Sequence, residues 1–242
     1  MHNMTLSDLL RRGAGKIKSN YRRTRIWKVD DLKIGYIAVP KVASSSIRSM
    51  ITAQQKSHLG QEKHKTPNKK LKYCARISLT PAQIVRMREQ FYLFSFTRNP
   101  LTRLYSCYRD KVVNGELRHD RCCFSPYRIH FGISFDEFIR RVVDIPEKSA
   151  DQHFRSLCSF LVHDGKLLVD YVGKFERFAQ DWDEIATRFG LPQPKRARRV
   201  SGSPVAMKDI PLSSAGLELV IARYAQDLDT FGYRKELEAM RK

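Results

Sequence analysis

The chain has 242 residues, 42% of them hydrophobic, with 45 Lys and Arg against 25 Asp and Glu and a formal charge of +20. That length suits one compact α/β domain rather than two, and the lack of any apolar run of about 18 residues argues against a membrane-spanning helix. The charge calls for an anionic partner: nucleic acid, acidic polysaccharide, anionic membrane surface and phosphorylated nucleotide all satisfy it, and composition does not choose among them.

The amino terminus, MHNMTLSDLLRR, lacks the ordered segments of a signal peptide, so a cytoplasmic setting is expected. Cys74, Cys107, Cys122, Cys123 and Cys158 show neither CxxC spacing nor histidines at zinc-finger intervals and read as reduced thiols with no metal role. From Arg11 to Lys28 the chain is basic without an intervening acid, while Leu6, Leu9, Leu10 and Ile17 fall on one helical face. Residues 1–30 therefore read as a basic appendage to a single domain over 31–242. Two states of that appendage stay open, a helix lying on the inner face of an anionic membrane and a solvated, fraying one.

From Lys33 the pattern changes to KIGYIAV, a short β-rich run that stops at Pro40; the small-residue loop VASSS and the helical stretch IRSMITAQQK follow. Residues 40–47, PKVASSSI, thus bring a lysine and three hydroxyls to the start of a helix. Exposed amides and the helix dipole attract an anion there, Ser44, Ser45 and Ser46 add donors, Lys41 adds full charge, and the small side chain of Ala43 lets a ligand approach. The order is not that of a Walker loop, because the lysine precedes the small-residue turn. A serine-capped strand-to-helix turn would read the same way in isolation.

Residues 56–76 are polar and basic and read as an irregular excursion before a helix near Thr80-Pro81. A second strand-loop-helix unit comes next: FYLFSFT is a buried strand, Asn99-Pro100 breaks it, and LTRLYSCYRDKV continues as a helix with proline in its first turn. Arg98 emerges at the strand end and Ser106 lies on the helix, so the pair can hold one phosphate through a planar guanidinium and a hydroxyl; a surface salt bridge is the alternative for Arg98. Further on, SFDEFIRRVV reads as a helix, LVDYVG as a strand, FERFAQDWDEIATRFG as an amphipathic helix ending at Gly190, residues 191–212 as an exposed basic loop, and 213–227 as a final helix.

PKVASSSI and TRNPLTRLYSCYRDK resemble the 5'-phosphosulfate loop and the 3'-phosphate element of sulfotransferases that use 3'-phosphoadenosine 5'-phosphosulfate (PAPS). The chain is similar in particular to carbohydrate sulfotransferases of the chondroitin 4-O-, dermatan 4-O- and HNK-1 type, over roughly residues 34–234. HKTPNKKL from His64, DQHFRSLC at 151–158, YVGKFERF at 171–178 and RYAQDLDTFGYR at 223–234 extend the likeness. The resemblance implies a central, mainly parallel sheet flanked by helices, in the P-loop-kinase-like fold of sulfotransferases. It implies PAPS as co-substrate and no metal, with Lys41, Val42, Ala43, Ser44, Ser45 and Ser46 around the 5'-phosphosulfate and Arg98 and Ser106 on the 3'-phosphate. Ala43 stands where the family usually has glycine, and Phe154 where it has tryptophan.

The expected reaction is in-line transfer of a sulfuryl group to a carbohydrate hydroxyl, with Lys41 neutralising charge on the leaving nucleotide. The acceptor hydroxyl must lose its proton, and imidazole titrates in the right range. His64 and His153 are the candidate bases because each falls in a family-like segment; Glu176 is an outside candidate that otherwise reads as structural. The basic clusters at 63–76 and 195–199 are candidate contacts for a glycan acceptor, acidic or not. A bacterial cytosolic enzyme acting on a capsular, lipopolysaccharide or glycolipid sugar is the expected setting. The competing readings are a nucleic-acid-binding protein, motivated by KRARR at 195–199, a kinase with a related phosphate loop, and a basic membrane-surface protein; the first leaves both nucleotide elements without a role.

Overall fold

The computed structural model of the chain describes residues 23–58, 74–117, 124–193 and 206–241. Strands β1 (Thr24–Val29) and β2 (Ile34–Ile37) form an antiparallel hairpin, and helix α1 (Ser44–His58) follows. Strand β3 (Cys74–Leu79) adds to the free side of β1, also antiparallel. Next come α2 (Pro81–Met87), β4 (Tyr92–Thr97) and α3 (Pro100–Tyr108), which runs on into a π-helical turn (Arg109–Val113) and a short α4 (Asn114–Leu117). After α5 (Phe135–Val143) and α6 (Cys158–Leu161), a small hairpin of β5 (Val162–His163) and β6 (Lys166–Leu167) leads to β7 (Tyr171–Lys174) and α7 (Phe178–Phe189). Three helices close the chain: α8 (Ser214–Arg223), α9 (Ala225–Phe231) and α10 (Arg234–Glu238).

The main sheet has the order β3-β1-β2-β4-β7, with β2–β4 and β4–β7 parallel. The α/β class expected from the sequence is present, and the sheet is mixed: its parallel half carries the strand-loop-helix units, and β1 makes both antiparallel pairings. Thr24–Val29 falls inside the stretch read as a basic appendage. Thr24, Ile26 and Val29 are buried while Arg25 points to solvent, so the basic residues ride on a strand whose apolar positions face the core. Cys74–Arg76, read as the end of an irregular excursion, likewise belong to β3. The expected single C-terminal helix is three helices, with breaks at Tyr224 and at Gly232–Tyr233.

Local sequence explains the two helices that matter most. Thr80 caps α2 with a reciprocal Gln83 bond and Pro81 in the first turn. Asn99 caps α3, its side chain accepting from the Leu101 amide, and Pro100 again occupies the first turn. Around β4 the core is aromatic. Phe94 and Phe96 pack on the fully buried Trp182 of α7, which stacks on Phe178 at 6.1 Å. Gly173 of β7 lets this layer close, since a Cβ there would lie 2.5 Å from the Phe96 ring. The carboxyl ends of β2 and β4, neighbours and parallel, are thereby fixed side by side, each opening into a loop and a helix N-terminus.

Candidate functional site

The loop from Pro40 to Ala43 is bent by two left-handed residues, Lys41 at φ 69° and Ala43 at φ 63°. Neither is glycine, so each is held in a conformation that L-residues avoid. Ala43 O accepts from the amides of Ser46 (2.9 Å) and Ile47 (3.1 Å), which starts α1 at Ser44. The amides of Ser44 and Ser45 lie in the first turn, where no preceding helical carbonyl is available to them. Ser44 and Ser46 are half-buried and Ser45 is exposed. Arg48, one turn along, donates to the Ser44 carbonyl and to the Ser45 hydroxyl, both at 3.0 Å. Lys41 Nζ reaches back to Asp110 Oδ2 at 3.0 Å.

Arg98 follows the last residue of β4 and is buried, 9% exposed, so it is no surface salt bridge. Its guanidinium lies over the Phe175 ring at 4.2 Å, donates from Nε to Thr102 Oγ1 at 3.0 Å and from Nη1 to the Lys41 carbonyl at 3.4 Å. Burial pushes its pKa down to about 10, against the attraction of Glu176, which leaves it charged at neutral pH. Glu176 directs its own oxygens elsewhere: Oε1 accepts from the Asn99 amide at 2.8 Å and Oε2 from the Tyr233 hydroxyl at 3.1 Å. The C-terminal helices are tied to the same corner, since Asn99 Nδ2 donates to Glu236 Oε2 at 3.3 Å. Ser106 is half-buried and four residues beyond Thr102, so the two share a face of α3.

Arg103, fully buried on α3, is the tie between chain segments. Its Nε donates to the Pro40 carbonyl at 3.1 Å, Nη1 to the Arg155 carbonyl at 2.6 Å and Nη2 to the Gln152 carbonyl at 3.1 Å. One guanidinium thus holds the start of the phosphate-type loop and both sides of His153. The His153 Nδ1 lies 2.6 Å from Asp151 Oδ1, which also accepts the His153 amide at 2.9 Å, and the ring meets Phe124 edge-on. Burial works to raise the Asp151 pKa, but the bonds and charge of His153 prevail and hold it below the usual carboxylate value. Beside this segment lies a cleft of about 380 Å³ whose lining includes Arg23, Arg25, Asp151, Gln152 and Arg155.

The structure therefore brings together Lys41, Val42, Ala43, Ser44, Ser45 and Ser46 on one loop and helix start, with Arg98 bonded to that loop. It also anchors the His153 segment to the same loop through Arg103. His64, residues 63–73 of the cluster at 63–76, and the cluster at 195–199 lie outside the described residues. Reading the sequence alone did not give Arg103, Asp110 and Asp151 their parts. Their partners are remote in sequence, or, for Asp151, only two residues off and indistinguishable from an ordinary surface acid. Among the described residues no group of three or more His, Cys, Asp or Glu could hold a metal ion.

The chain is similar in sequence to proteins of known name. Carbohydrate sulfotransferase 14 of Danio rerio is 24% identical over 223 residues, covering 84% of this chain and 60% of the relative. The proteins of the same name from Mus musculus and Homo sapiens are 26% and 28% identical over 174 residues, 64% of this chain and 46% of each relative. The chain thus spans about half the length of the relatives it matches. No solved structure matches it. The family model described as "Sulfotransferase family" matches residues 24–234, from the first strand of the sheet to the start of the last helix, and the chain belongs to the sulfotransferase family.

Proposed function

We propose that the chain moves a sulfuryl group from PAPS to a hydroxyl of a carbohydrate. One observation carries the reading: the buried Arg98 guanidinium donates to the carbonyl of Lys41, so two strand ends form a single cationic unit. Its residues fit a nucleotide with phosphates at two positions. The first turn of α1, with the backbone of Val42 and Ala43 and the hydroxyls of Ser44, Ser45 and Ser46, would hold the 5' end. Arg98 and Ser106 would hold the 3'-phosphate, the planar guanidinium being held in place by Phe175 and Thr102. PAPS, when bound, supplies an activated sulfuryl group whose departure leaves negative charge on the nucleotide. Lys41, at the helix mouth, meets that charge.

His153 is the better supported of the two candidate bases. A carboxylate on Nδ1 fixes the ring and selects the tautomer with its proton on that nitrogen, which leaves Nε2 to accept the proton of the acceptor hydroxyl. The acceptor would lie in the neighbouring cleft, where the guanidinium groups of Arg23, Arg25 and Arg155 favour an acidic sugar. The relatives are carbohydrate sulfotransferases by name, which supports a carbohydrate acceptor.

The test is nucleotide-dependent stability. Adenosine 3',5'-bisphosphate, the desulfated product, at a hundred times its dissociation constant should stabilise the fold by about 2.7 kcal/mol, a rise in melting temperature of roughly 5–10 °C for a chain of this size. Arg98→Ala should remain folded by circular dichroism and lose that rise. A wild-type melting temperature indifferent to saturating nucleotide would overturn the reading.

A further inference from the structure

Lys41 and Asp110 are 69 residues apart in sequence, and the structure joins them in an ion pair of 3.0 Å with side chains 13% and 34% exposed. The acid sits in the π-helical turn Arg109–Val113 that interrupts the helix after Tyr108. Such widened turns are rare and gather at functional sites. Counting back along the helix in steps of four gives Ser106 and then Thr102, the residue that receives Arg98 Nε. One helical face therefore addresses Arg98, the candidate 3'-phosphate position and Lys41 in succession.

The charges around the pair define what the acid does. Arg98 and Arg103 donate to the carbonyls of Lys41 and Pro40 and so flank the loop with two further cations. Lys111 Nζ lies 3.8 Å from the same Asp110 Oδ2 that holds Lys41. If Lys41 leaves, Asp110 keeps a cationic neighbour, so the exchange does not strand a carboxylate without compensation. Resting on the donor reading above, we infer that Asp110 is a positioning residue that competes with the nucleotide's 5'-phosphate for the Lys41 ammonium. It holds Lys41 at the loop in the empty site, yields it when the nucleotide enters, and recaptures it as the product nucleotide leaves. The carboxylate thereby weakens nucleotide binding and shortens product residence, while keeping the lysine where the leaving group will need it.

The experiment is calorimetric titration of adenosine 3',5'-bisphosphate into wild type, Asp110→Asn, Asp110→Glu, Lys41→Ala and the Lys41→Ala/Asp110→Asn double variant. Removal of the competing charge in Asp110→Asn should tighten binding about 2- to 5-fold, the range expected for a partly exposed ion pair. Asp110→Glu should restore wild-type affinity. In the Lys41→Ala background the Asp110→Asn change should lose most of its effect, because the competition runs through Lys41, and an equal tightening in both backgrounds would mean direct carboxylate–phosphate repulsion and overturn the inference. A merely structural role for Asp110 would instead weaken binding in both backgrounds, and that result, or unchanged affinity in Asp110→Asn, overturns the inference. Absence of any nucleotide binding by wild type would overturn the donor reading itself, which keeps the two failures apart.

Discussion

At the scale of single residues, the backbone is strained at the loop proposed to hold the 5' end of the nucleotide. Lys41 and Ala43 both adopt positive φ in a loop of four residues, and a left-handed L-residue costs about 1–2 kcal/mol. The resemblance puts glycine where this chain has Ala43, and a φ of 63° is one that glycine adopts without steric cost. Ala43→Gly should therefore raise stability by about 0.5–1 kcal/mol, the relief of strain less the greater freedom of glycine in the unfolded chain. Ala43→Val should lower stability, since β-branching is least tolerated at positive φ. Urea midpoints of the two variants against wild type check the pair, and a destabilised Ala43→Gly would show that the alanine methyl makes a packing contribution larger than the strain.

At the scale of elements, α3 organises the site, and it does so through Arg103 as much as through Arg98. A fully buried guanidinium with three carbonyl acceptors, on Pro40, Gln152 and Arg155, cannot be replaced by an apolar side chain without leaving those carbonyls to find other partners. Arg103→Met should cost at least about 3 kcal/mol, given 1.5–3 for each hydrogen bond to a charged group, and the loss is read from chemical unfolding. The strand-loop-helix units that end in Lys41 and Arg98 were legible in the sequence because their apolar runs, breakers and proline-capped starts are local signals. Strands β1 and β3 were not. Arg25 and Lys28 in β1 make the segment read as a charged extension when burial at Thr24, Ile26 and Val29 is unseen. Pairings such as Lys41 with Asp110 depend on the sheet order that sets β2 beside β4, and no spacing within either segment encodes them.

At the scale of the whole molecule, the carboxyl ends of two adjacent parallel strands present the two proposed nucleotide elements, the place where open α/β sheets usually bind ligands. The first strand of the hairpin then acquires a use: β1 runs antiparallel to β2, so its amino end, with Arg23 and Arg25, lies beside the carboxyl end of β2. There Ala38 donates to the Arg25 carbonyl at 3.1 Å, and the cleft with Asp151 and Arg155 opens next to it. Three of the chain's basic residues, Arg23, Arg25 and Arg155, thus line one cleft, where the proposed acceptor would meet them. Arg25 is exposed on its strand and carries no packing role that reversal would disrupt. Arg25→Glu should raise KM for an anionic glycan acceptor by about tenfold and leave nucleotide affinity unchanged, since a charge reversal of one exposed contact is worth roughly 1–2 kcal/mol at moderate ionic strength. Wild-type kcat/KM for the same acceptor should fall as salt rises, and the variant's should fall less steeply, because screening removes what the substitution has already removed. Parallel salt dependences for the two proteins would mean that the acceptor approaches by another face.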